Sequence, residues 1–164
     1  MFGKVGESLR TLSLLKGLPV YEKNSGEKLG EVFDLCLSDN ARIEGVLLRE
    51  GAIFKRNLLV PFQNIYSFGP DGIMVEDTSF LQPAENFYHI FEGKEKLVGK
   101  PLLSSTGEQL GLLEDVYFQE ELGTIVGYEC SDGFFADITE GKRVVKTNEP
   151  PRIGKDAIIV NVNQ

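Results

Sequence analysis

The segment EVFDLCLS, beginning at Glu31, sets Phe33, Leu35 and Leu37 in alternation with Val32, Asp34 and Cys36. This is the two-residue period of a β-strand. Further extended runs follow: RIEGVLLRE from Arg42, NLLVPF from Asn57, IYSF from Ile65 and GIMVED from Gly72. Val20 opens a similar run behind a proline, and the turn signals NSGEKLG and GPDG punctuate the series. Short strands with turns at such intervals predict a small antiparallel β-barrel or sandwich.

The pattern then recurs. GEKLGEVFDLCLS from Gly26 returns as GEQLGLLEDVYFQ from Gly107, and LKGLPVYE from Leu15 returns as LVGKPLLS from Leu97. Near the ends of the copies, LLVPFQNIYSFGPDGIMV matches RVVKTNEPPRIGKDAIIV. The alignment pairs Gly17 with Gly99, Gly30 with Gly111, Asp34 with Asp115, Gly45 with Gly127, Gly51 with Gly133 and Gly69 with Gly154. Paired glycines imply a shared backbone plan, because glycine recurs where φ is positive or chains approach closely. Copies of about 65 residues are marginal as independent cores, which favours two barrels docked on each other. The expected organisation is a first repeat over residues 12–79, a connector over 80–95 and a second repeat over 96–164. Within the connector, QPAENFYHIFEG predicts a short helix. Pro83 suits its first turn, Glu85 its dipole and Gly93 its end, with Phe87, Ile90 and Phe91 on one face sealing an inter-repeat core.

Two ordered copies of G-x-P-(V/L)…G-E-x-L-G-x-(V/L)-x-D, each closing on G-x-D-(G/A)-I-(I/M)-V, resemble PRC-barrel domains over nearly the whole chain. The resemblance implies an all-β protein of two tandem, highly bent, six-stranded antiparallel barrels. Similar domains occur in the cytoplasmic part of the photosynthetic reaction-centre H subunit, at the carboxyl end of a ribosome maturation factor, and as free-standing bacterial proteins. The family generally supplies binding surfaces rather than chemistry.

Composition narrows the function further. Seventeen Lys and Arg against 25 Asp and Glu give a net charge of -8, which disfavours a phosphate backbone as direct partner. The amino terminus reads as mature protein, no apolar run is long enough to span a bilayer, and the two cysteines stand apart, so a reduced cytoplasm is the expected compartment. His89 is the single histidine and no nucleophile motif accompanies it. Cys36 and Cys130 occupy non-equivalent strand positions and read as small buried hydrophobes. No spacing suits a zinc or calcium site, and GKVGES near the start lacks the spacing of a phosphate loop, so no metal or cofactor is expected. Gly30, Asp34, Gly111 and Asp115 read as structural positions of the repeat, each aspartate holding a bulge or turn through backbone N–H groups.

One charge feature carries a functional expectation. From Pro101 to Gly141 the chain contains no Lys or Arg, whereas the matching part of the first copy carries Arg42, Arg49, Lys55 and Arg56. Within that span, Glu120, Glu121, Asp132 and Asp137 together with Phe134 and Phe135 form the candidate surface for a protein partner, a basic one by charge. Self-association, with this face meeting the basic strands of another copy, is the alternative it allows. The sequence thus predicts a non-enzymatic binding or adaptor module. A ribosome-assembly accessory protein that binds a basic ribosomal protein is the second reading, and a small ligand-binding barrel the third.

Overall fold

The computed structural model describes residues 9–50, 56–83, 88–131, 142–147 and 149–161. In the first copy the strands are β2 (Pro19–Glu22), β3 (Lys28–Leu37), β4 (Ile43–Glu50), β5 (Arg56–Pro61), β6 (Ile65–Phe68) and β7 (Ile73–Val75). In the second they are β10 (Pro101–Ser104), β11 (Gln109–Gln119), β12 (Thr124–Ser131), β13 (Lys142–Lys146), β14 (Arg152–Ile153) and β15 (Ile158–Val160). Hydrogen bonding orders them β6-β7-β2-β3-β4-β5 and β14-β15-β10-β11-β12-β13, which is one order used twice. The turns agree in detail. Gly17 N–H donates to Val32 O and Gly99 N–H to Leu113 O, both at 2.8 Å. Gly69 N–H donates to Gly72 O and Gly154 N–H to Ala157 O, both at 2.9 Å. The chain is therefore an all-β protein of two barrels with one strand order. Among the described residues no helix is long and apolar enough to cross a membrane.

Two details depart from the expected plan. The barrels are not wholly antiparallel, because β2 pairs parallel with β7 and β10 pairs parallel with β15. The β6–β7 hairpin returns its second strand beside β2 running the same way, and β14–β15 repeats the manoeuvre. The second departure is the connector. Gln82–Pro83 forms β8, paired with Leu58 and Leu59 of β5, and Tyr88–His89 forms β9, paired with Leu37 and Cys36 of β3. Gln82, Pro83, Tyr88 and His89, all within the expected helix, are thus extended strand residues instead, while Glu85 and Phe87 lie outside the described residues. Ile90 N–H bonds Leu35 O, so a strand ladder takes the backbone group that a helix would have used.

The connector has a counterpart at the start of the chain, and together they join the copies. Strand β1 (Leu9–Thr11) pairs antiparallel with β11 of the second copy, Arg10 opposite Phe118 and Thr11 opposite Tyr117. A single 3-10 turn, Leu12–Leu15, follows and buries Leu12 and Leu15 completely. Each copy's leading segment therefore lies against the long central strand of the other copy. The two paired aspartates pin these segments. Asp34 Oδ1 accepts N–H bonds from Leu35 (2.8 Å), Ile90 (3.2 Å) and Phe91 (3.0 Å), and its Oδ2 accepts Glu92 N–H at 2.9 Å. Asp115 Oδ1 accepts Val116 N–H at 2.9 Å and Ser13 N–H at 3.1 Å, and its Oδ2 accepts the Ser13 hydroxyl.

Both aspartates follow a β-bulge, at Phe33 in β3 and at Glu114 in β11. The extra residue shifts the alternation of β3: Val32, Leu35 and Leu37 enter the main core, while Cys36 joins Leu47, Leu59 and Phe33 in a second cluster. Gly111 shows why glycine stands one bulge earlier. Its φ is +142°, and a Cβ there would lie 2.3 Å from Ser131 O. The main core draws on both copies, from Val20 and Leu35 through Ile90 to Leu102 and Phe118, as one contiguous apolar cluster.

Candidate interaction cleft

Among the described residues a cleft of about 700 Å³ lies between the copies. The first copy contributes the turn after β5 and strand β6, with Phe62, Ile65, Tyr66 and Phe68. The second contributes the β11–β12 turn, with Glu121 and Leu122. Local sequence builds each wall. Pro61 ends β5 and leads into a three-residue 3-10 turn, Phe62–Asn64, which swings Phe62 against the opposite turn. There Gly123, at φ +67°, leaves room for the ring, since a Cβ would sit 3.0 Å from it. Gly123 O also accepts Ile43 N–H at 3.2 Å, tying the second copy's turn to β4 of the first.

An aromatic chain forms the floor. Phe62 lies 6.0 Å from Phe68, and Phe68 lies 5.7 Å edge-on from Phe118 of the second copy, within the range of favourable ring contacts. Arg10, on the exchanged β1, braces this floor. Its guanidinium donates to Gly69 O at 3.0 Å and to Phe68 O at 3.1 Å, and its Nε lies 2.7 Å from Glu120 Oε2. The pair is largely shielded, with side-chain exposures of 17% for Arg10 and 15% for Glu120.

Tyr66 and Leu122 remain 59% and 58% exposed, two large apolar side chains in one cleft. The Lys23 ammonium rests 4.0 Å from the Tyr66 ring centroid and 3.6 Å from a Glu76 carboxylate oxygen. Glu121 is exposed at the rim. Of the residues marked by charge in the sequence, the structure thus brings Glu120 and Glu121 to one cleft, the first braced by Arg10 and the second facing solvent. Asp132, Phe134, Phe135 and Asp137 lie outside the described residues. Asp34 and Asp115 are buried and Gly30 and Gly111 sit in the strands beside them, away from the cleft. The aromatic wall was not singled out from the sequence. Its signal was there to be found in FQNIYSF, where the matching segment of the second copy is TNEPPRI.

One grouping resembles catalytic chemistry. Cys36 stands opposite His89 across the β3–β9 ladder, and His89 Nδ1 lies 3.8 Å from Asp34 Oδ2. The electrostatics run against a nucleophile. Burial, followed by the nearby Asp34 and Glu44 charges, pushes the Cys36 thiol up to about 12, so it stays protonated at neutral pH. Burial also raises the Asp34 carboxyl, against the opposing pull of the Phe91, Leu35 and Glu92 N–H bonds and of His89. Among the described residues no group of three or more His, Cys, Asp or Glu side chains is placed to hold a metal ion.

Comparison with known proteins agrees with this architecture. The PRC-barrel domain model matches residues 7–82 and again residues 91–164. An uncharacterised protein of Bacillus subtilis (strain 168), YrrD, is 33% identical over 161 residues, covering 96% of this chain and 90% of its own length. Two matches spanning almost the whole sequence, on top of a strand order used twice, establish that the chain belongs to the PRC-barrel domain family.

Proposed function

We propose that this chain is a non-enzymatic binding module, in which two interlocked PRC barrels hold a rigid cleft for a protein partner. The observation that carries this reading is the cleft itself: two large apolar side chains, Tyr66 and Leu122, are left more than half exposed on a braced floor. Exposed aromatics next to well-packed surroundings are the usual anchors of protein interfaces, and apolar side chains exposed together, rather than singly, mark interaction sites. The protonated state of Cys36 supports a role without covalent chemistry.

The test is site-specific photocrosslinking in the cell of origin, with benzoylphenylalanine placed at position 66 or 122 and a control at Leu14, which is also exposed. Discrete adducts from positions 66 and 122, lost when Phe62 is changed to Glu, are the expected result. Adducts no different from those of the position 14 control would overturn the proposal.

A further inference from the structure

The internal repeat offers a built-in comparison for the cleft. The pseudo-symmetric position lies between the β3–β4 turn and the segment after β13, and is a smaller depression of about 230 Å³ lined by Asn40, Ala41, Arg42, Ile125, Glu149 and Pro150. Counting back from the paired glycines Gly69 and Gly154, Thr147, Pro151 and Ile153 stand where the first copy has Phe62, Tyr66 and Phe68. On the opposite wall Asp39, Asn40 and Ala41 stand where the second copy has Glu120, Glu121 and Leu122. The same fold is thus completed once without aromatics, so barrel closure does not call for them. What the larger cleft has gained is an aromatic wall facing a pair of acids.

Resting on the binding-module reading above, we infer that the cleft takes an extended segment in which an aliphatic side chain is flanked by a basic one. The aliphatic group enters between Tyr66 and Leu122, and the cation lies against Glu121. Charge complementarity selects the basic class. Arg10 already engages Glu120 at 2.7 Å, leaving Glu121 as the exposed rim carboxylate. Lys23, over the Tyr66 ring, is itself paired with Glu76, so Glu121 stays the carboxylate left to face the ligand's cation. An acidic segment would instead place its carboxylates beside Glu121 and against a chain of net charge -8.

The probe is the tripeptide acetyl-Arg-Leu-Arg-amide, titrated into the ¹⁵N-labelled full chain at low salt, with acetyl-Glu-Leu-Glu-amide as its charge-reversed partner. The expected result is saturable shifts confined to residues 62–68 and 120–122, with Kd on the order of 1 mM for so small a ligand. Tyr66→Ala should weaken binding about tenfold, and Glu121→Lys about threefold. Glu108→Lys, in an exposed turn elsewhere, should leave it unchanged. Equal binding of the acidic tripeptide, or no cleft shifts from the basic one, overturns the inference. Concentration-dependent shifts at the same residues without peptide assign the cleft to a second copy and overturn it as well. Crosslinks from position 66 in the cell that persist while the basic tripeptide fails would sink this partner chemistry and leave the binding-module reading standing.

Discussion

Replacing Asp34 by Ala tests whether the two copies are held together by a buried carboxylate. Four backbone N–H groups end on this side chain, three of them from residues 90–92 of the connector. Ile90 keeps a second acceptor in Leu35 O at 3.3 Å, and the N–H groups of Phe91 and Glu92 are only partly buried and can find water. The Leu35 N–H bond is fully buried. A buried donor left unsatisfied costs about 1–3 kcal/mol. Adding partial losses at Phe91 and Glu92, and subtracting the relief of no longer burying a charge, gives about 3 kcal/mol for Asp34→Ala. The substitution to Asn sharpens the test. Oδ1 accepts three of the four bonds, so an Asn carbonyl can keep those and place its amide toward Glu92 N–H, for a loss of about 1 kcal/mol. Urea denaturation gives the energies, and native-state hydrogen exchange at residues 90–92 locates them. Asp34→Ala should accelerate exchange there far more than Asp34→Asn. A loss below about 0.5 kcal/mol for the Ala variant, or equal losses for both variants, would refute the assignment of Asp34 as the pin.

Other expectations follow from the same geometry. The double-mutant cycle of Ser13→Ala and Asp115→Ala should show a coupling of about 1 kcal/mol in urea denaturation, because the Ser13 hydroxyl donates to that carboxylate and the backbone N–H bond is left in place by the serine substitution. Gly111→Ala should cost several times the loss of about 1 kcal/mol seen for an ordinary backbone substitution, since its Cβ would meet Ser131 O at 2.3 Å; thermal unfolding reads the difference. The Cys36 thiol, at about 12 in the folded protein and about 8.5 unfolded, sets a pH dependence of known sign. Its contribution is whole below pH ~8.5 and is lost as pH rises towards the folded value, so by pH 10 the wild type should lose about 2 kcal/mol relative to Cys36→Ala. A stability difference independent of pH between 7.5 and 10 would refute the burial of that thiol.

Much of the architecture was written locally. Glycines at Gly17, Gly30, Gly99 and Gly111 mark the turns and bulges of each copy, and all four have positive φ. Because a positive φ is a property of one residue and its neighbours, the repeat of these signals predicts a repeat of strand order. The connector defeated local reasoning. Phe87, Ile90 and Phe91 fit a helical stripe, yet Ile90 is buried beside a strand ladder. The deciding partners, Asp34 and Leu35, lie more than 50 residues earlier in the chain. The exchange of leading segments was equally hidden, since nothing near Leu9–Thr11 names Tyr117–Gln119 as its partner. The cleft divides the same way. Charge along the chain pointed to Glu120 and Glu121, but the aromatic wall belongs to the other copy and meets them only across the interface. Sequence periodicity specifies which face each residue takes in its own strand. Which strands meet is settled by long-range burial and by buried N–H groups finding their acceptors, and only the tertiary structure carries that information.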